Sequence, residues 1–194
     1  MKQLVALAAL SLLVMNGQAP AQVDQDPDGI GIYFDTDATQ YCLKYLGGRI
    51  FAYLILTNCS EPSGIGGWAC RMTVTIPAGN YAYGWDLYGA DNMSTPPDYV
   101  CGLGSAIPYA PAMLLARQEC WVHVPDAMTF YIGPVSTPPI WGYPAYAAGD
   151  DPGRIKPMYV ASGSYDLPVA QLNGVCSVIA TEQTSFGHVK SMYR

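Results

Sequence analysis

Phe51-Ala52-Tyr53-Leu54-Ile55-Leu56 and Arg71-Met72-Thr73-Val74-Thr75-Ile76 decide the fold class of this chain. The first run is apolar at every position, as a central strand covered on both faces must be. The second alternates. Met72, Val74 and Ile76 leave the backbone on one side, and Arg71, Thr73 and Thr75 on the other, which is the pattern of a half-buried strand. Between them Asn58-Cys59-Ser60-Glu61-Pro62-Ser63-Gly64 is rich in turn formers, so the two runs read as an antiparallel hairpin.

Working outward, short β-rich runs recur between Gly, Pro, Asn and Asp clusters. They are Ile30–Phe34, Tyr81–Leu87, Met113–Gln118, Trp121–Val124, Thr129–Ile132, Lys156–Val160 and Val175–Ala180. Long 3.6-period segments are missing after the first residues. Only Phe186–Tyr193 reads as helical, with Phe186, Val189 and Tyr193 on one face and Thr184 or Ser185 as cap. The expected fold is mainly β: an antiparallel two-sheet sandwich, jelly-roll-like, with a short C-terminal helix. The segment Pro134–Gly153 reads as an ordered loop, because Trp141, Tyr143 and Tyr146 favour burial.

Residues 1–21 carry the pattern of a secretory signal peptide. Lys2 is followed by an apolar run, Leu4–Met15, and Ala19-Pro20-Ala21 offers the small residues at minus three and minus one. The run is too short for a bilayer span, which needs about 20 apolar residues. Residues 22–194 then form one domain, secreted or periplasmic, with no transmembrane segment. Charged residues make up 12% of the chain, and 15 acidic residues outnumber 9 basic ones. That balance argues against nucleic acid as a partner.

An even set of six cysteines in an exported chain points to disulfides. Cys101 and Cys120 flank the Pro-rich turn region Ala106–Pro111, and a hairpin there would pair them. Cys42 with Cys70, and Cys59 with Cys176, complete the expected set. There is no C-x-x-C pair, and His123 and His188 lie far apart, so zinc ligation has no support in the spacing.

The stretch Ala52-Tyr53-Leu54-Ile55-Leu56-Thr57-Asn58, then Ile65-Gly66-Gly67-Trp68, then Met72 to Ile76 resembles the opening of secreted sandwiches of the cohesin and carbohydrate-binding-module type. The resemblance implies a jelly-roll-like sandwich with a binding or structural role. It carries over no functional residue.

Two constellations could carry chemistry. Asp24, Asp26 and Asp28, followed by Gly29 and by Asp35, fit the spacing D-x-D-x-D-G-x5-acid of a calcium loop. The alternative is an acidic mature terminus leading into the first strand. Tyr81, Tyr83 and Trp85 alternate onto one strand face, and Trp141 follows later. Such aromatics form either a core face or a platform for stacking on sugar rings. Catalysis is harder to build. There is no G-x-S-x-G turn, His123 sits in an apolar run, and Asp86 and Glu119 are carboxylates without a motif. The expected function is therefore a non-enzymatic secreted module that binds a glycan or an exported protein, with no cofactor unless calcium binds. An extracellular polysaccharide hydrolase and a structural module of a cell-envelope assembly are the alternatives.

Overall fold

The computed structural model describes residues 26–175. The leader, Asp24, Cys176 and the expected C-terminal helix lie outside them. In chain order the strands are β1 (Gly29–Tyr33), β2 (Cys42–Leu43), β3 (Gly48–Thr57), β4 (Ile65–Thr75), β5 (Tyr81–Asp86), β6 (Asp91–Asn92) and β7 (Asp98–Ile107). They continue as β8 (Ala112–Val122), β9 (Met128–Gly133), β10 (Ala145–Ala148), β11 (Ile155–Pro157), β12 (Tyr159–Val160) and β13 (Ala170–Leu172), and no helix occurs among the described residues. The protein is mainly β.

Two sheets form. The first has five strands in the order β12-β1-β3-β8-β5. The second has eight, running β11-β10-β4-β9-β13-β2, with β7 on the other side of β4 and β6 on β7. Both are mixed rather than purely antiparallel, because β1 runs parallel to β12 and β2 parallel to β13. Inward-facing side chains of both sheets, among them Ile30, Ile32, Leu54, Leu56, Trp68, Met72, Leu115 and Phe130, belong to one apolar cluster.

The expected hairpin does not form. β3 lies between β1 and β8, whereas β4 pairs with β7, β9 and β10 in the other sheet. The physical reason is the double-sided apolarity of β3. Ala52, Leu54 and Leu56 fill the shared core, while Ile55 on the outer face is sealed by Tyr33 and Ala38 in a second small cluster. A strand that needs cover on both faces is best placed at the centre of a sheet. The connector therefore carries the chain from one sheet to the other. Asn58 (φ 48°) and Gly64 (φ 75°) both take the left-handed conformation that makes the reversal possible. A Cβ at Gly64 would be driven into the carbonyl of Ile107.

The same geometry corrects the cysteine pairing. β7 and β8 do flank the turn near Ala110, but they belong to different sheets, so Cys101 and Cys120 are not cross-strand neighbours. Both are free, buried thiols, as are Cys59 and Cys70. Cys42 is disulfide-bonded, and the free state of Cys70 rules out the expected Cys42–Cys70 bridge. Cys59 is free as well, so its expected bridge to Cys176 is absent. Burial pushes the thiols of Cys101 and Cys120 up to about 12, leaving them protonated and poorly nucleophilic at neutral pH.

Two measurements check this architecture. Alkylation of the unfolded, unreduced protein should label the peptides carrying Cys59, Cys70, Cys101 and Cys120, while the Cys42 peptide should need reductant first. Gly64→Ala should lower stability by about 2 kcal/mol or more in urea unfolding, since it combines a left-handed backbone with a backbone clash.

Candidate functional site

The calcium expectation is the first to meet the structure. Asp28 and Asp35 lie beyond opposite ends of β1, roughly 20 Å apart for a strand of that length, so they do not converge on one point. The Asp28 carboxylate accepts the Ser60 N–H at 2.7 Å, the Ser60 hydroxyl at 2.7 Å and the Tyr146 hydroxyl at 2.6 Å. Asp35 accepts the amide of Thr39 at 2.9 Å and also its hydroxyl, which closes the loop that covers the outer face of β1. No cluster of three His, Cys, Asp or Glu side chains suited to a metal ion occurs among the described residues.

The aromatic candidates separate into two places. β5 is the edge strand at one side of the five-stranded sheet, and Trp141 stands near β12 at the other. Tyr81 and Tyr83 are exposed, at 61% each. Trp85 does not share their face. A bulge between Ala82 and Trp85 shifts the register, so that Trp85 lies opposite the buried Gln118 and packs against the core. Gln118 fixes that bulge by donating from Nε2 to the Tyr83 carbonyl at 2.7 Å.

Beside β5, Phe51, Tyr83, Gly84, Asp86, Arg117 and Glu119 line a small cleft of about 270 Å³. Its charges are already used. Arg117 pairs with Asp86 at 2.9 Å, and Glu119 accepts Trp121 Nε1 at 2.8 Å. The guanidinium groups of Arg49 and Arg117 stand 5.2 and 4.7 Å from the Phe51 ring. His123, on the same outer face, stacks on Trp121 with centroids 6.0 Å apart. The Phe51 and Trp121 rings are thus already engaged, while Tyr81 and Tyr83 stay exposed.

The larger site lies at the β12 edge. An open groove of about 1150 Å³ is lined by Trp141, Tyr143, Tyr159 and Tyr165, together with Asp26, Asp28 and Ser60. β12 is placed by its parallel pairing with β1, and the Tyr159 amide donates to the Asp28 carbonyl at 3.0 Å. The chain reaches β12 directly from β11, which belongs to the other sheet. The single run expected at Lys156–Val160 is thus two short strands separated by the fully buried Met158. Trp141 sits next to Gly142, whose φ of 81° turns the loop outward. The Tyr165 hydroxyl donates to the Gly142 carbonyl at 2.8 Å and holds that turn.

Of the three loop aromatics expected to be buried, only Tyr146 is; it belongs to β10. Burial and the hydrogen bond to Asp28 push its phenol far above the usual range, so it stays a donor. Trp141 is 89% exposed, and Tyr143, Tyr159 and Tyr165 are partly exposed, with Tyr143 and Tyr159 meeting edge to face at 5.9 Å. Sequence reading named Trp141 but missed Tyr159 and Tyr165. Their signal was the turn Asp150-Asp151-Pro152-Gly153, which folds β11 back on β10 and brings Tyr159 to Tyr143.

Glu61, next to Ser60 in the connector, is buried. It pairs with Arg154 at 3.1 Å and Lys156 at 3.2 Å. Burial raises its carboxyl, but hydrogen bonds from Ser63, Lys156 and Arg154 outweigh that and hold it at about 2. Asp98 behaves alike. The Arg71 guanidinium, at 2.7 Å, with the Ser136 hydroxyl and amide, overcomes burial and holds it well below the usual carboxylate range.

No protein-family model matches the chain, and no curated protein does.

Both depressed carboxylates make stability pH-dependent with a definite sign. A group whose acidity is strengthened by folding stabilises fully above its unfolded value, near 4 for Asp and Glu, and ceases to do so as pH falls through its folded value. Melting temperature should therefore be level from pH 7 to about 5 and drop steeply between about 4.5 and 2. Thermal melts across that range check this, and Glu61→Gln should make the drop shallower.

Proposed function

We propose that this protein is an exported, non-enzymatic binding module whose ligand is a glycan, carried on a two-sheet, jelly-roll-like sandwich. The observation that carries the reading is the groove of Trp141, Tyr143, Tyr159 and Tyr165. Exposed aromatic rings cost hydration free energy unless something covers them, and a sugar ring presents a matching apolar face with hydroxyls at its rim. Concave, aromatic-lined sites with a few convergent polar groups are what small-molecule and saccharide recognition needs. Export is supported by the leader pattern at residues 1–21 and agrees with the disulfide at Cys42.

The hydrolase alternative receives less support. A general acid for glycoside cleavage needs a carboxyl raised towards neutrality. The two strongly displaced carboxyls, Glu61 and Asp98, are displaced downward and held in ion pairs.

A glycan array probed with and without calcium tests the reading. Trp141→Ala should weaken the bound glycan about tenfold or more, as truncation of a central aromatic anchor does. Because Trp141 is almost fully exposed, the same substitution should leave the melting temperature within about 2 °C. An array without a bound saccharide would refute the proposal.

A further inference from the structure

Cys42 is disulfide-bonded, while Cys59, Cys70, Cys101 and Cys120 are buried free thiols. The chain has six cysteines. Counting therefore leaves Cys176 as the partner that the same chain can offer. Cys176 follows Val175, the last described residue. The backbone leading up to it can be asked whether it heads towards Cys42 or away.

β2 and β13 run parallel, with Gln171 opposite Cys42 and Leu172 opposite Leu43. Their association continues past the ladder. The Asn173 amide donates to the Leu43 carbonyl at 2.8 Å. The Asn173 side chain accepts the Tyr45 amide at 2.8 Å and donates to the Tyr45 carbonyl at 2.8 Å. An extended chain would now carry Cys176 about 16 Å beyond Gln171, too far for a bridge that needs Cα atoms about 4.4–6.8 Å apart. The chain does not stay extended. Asn173 takes a left-handed backbone (φ 58°), and Gly174 folds back over Gln171. A Cβ on Gly174 would stand 2.0 Å from Gln171 Oε1 and 2.8 Å from Gln171 Cβ. The Gly174 carbonyl accepts the Lys44 ammonium at 2.7 Å. The turn thus returns the chain towards the residue that faces Cys42, two steps before Cys176.

We infer that Cys42 and Cys176 form an intramolecular disulfide that clasps the β2–β13 edge of the larger sheet. Each thiol gives up a proton, one S–S bond forms, and the two electrons pass by exchange to the disulfide of an exported thiol oxidoreductase, which leaves as a dithiol. The bridge closes a ring that runs from β2 to β13 and takes in every strand except β1. β2 is a two-residue strand at the end of its sheet, where ladder bonds are few. A covalent tie there removes freedom from nearly the whole unfolded chain. The other four thiols are sealed in the core, so they do not compete for the bond once the chain has folded. This inference is independent of what the groove binds.

Peptide mapping of the full chain, exported into an oxidising compartment and alkylated before digestion, tests the pairing. Trypsin should release the peptide ending at Lys44 joined to peptide 155–190, and reductant should separate the two. Cys42→Ser, Cys176→Ser and the double variant should each lower the melting temperature by about 8 °C or more, and all by the same amount, because one bond is lost in every case. An alkylated Cys42, a Cys42 linked to any other cysteine or to a second copy of the chain, or a double variant that loses the sum of the two single losses would overturn the inference. Should a serine variant fail to fold, the map of the unaltered protein decides alone.

Discussion

Segments far apart in sequence meet on the carboxylate of Asp28. It follows directly on the exposed Asp26-Pro27 pair, takes two hydrogen bonds from Ser60 in the connector between the sheets, and takes a third from Tyr146 in the opposite sheet. A buried carboxylate must be satisfied by donors or it destabilises the fold. Here the donors come from the elements whose relative placement defines the groove. Asp28 adopts a left-handed backbone (φ 58°) to present itself, a conformation that Asp tolerates better than most side chains. The residue that reads in sequence as a metal ligand is, in the fold, a fastening between sheets.

Much of the fold was legible locally. Double-sided apolarity marked β3 as central, and period-two alternation marked β4 as half-buried. What local patterns could not supply was partnership. The turn formers between β3 and β4 look the same whether the chain folds back on itself or crosses to another layer. The choice is made by the outer face of β3, where Ile55 needs the cover of Tyr33 and Ala38. The cysteines failed for the same reason: closeness across a turn was read as closeness across a ladder.

The site was legible only in part. Alternation placed Tyr81, Tyr83 and Trp85 together, and one bulge undid it, since a single inserted step sends every later side chain to the other face. Trp141 was recognisable as an aromatic in a loop of Pro and Gly. Its companion Tyr159 is carried beside Tyr143 by the β10–β11 hairpin, whose register sets Ala145 opposite Pro157, and Tyr165 is tied back to Gly142 through its hydroxyl. Read as a loop followed by a single strand, the sequence hid that hairpin.

The crossing connections also govern how the chain acquires its shape. Among the described strands, only the short pairs β6–β7 and β10–β11 join neighbours in sequence. Every long ladder waits for a strand made well before or well after its partner. Loop-closure entropy must then be spent before any long ladder forms, which places such topologies among the slow folders. For a chain leaving the cytosol in the way we propose, slowness is useful. An exported polypeptide without a self-sufficient hairpin of long strands would stay threadable through a narrow channel, its sheets closing once the whole of it had crossed.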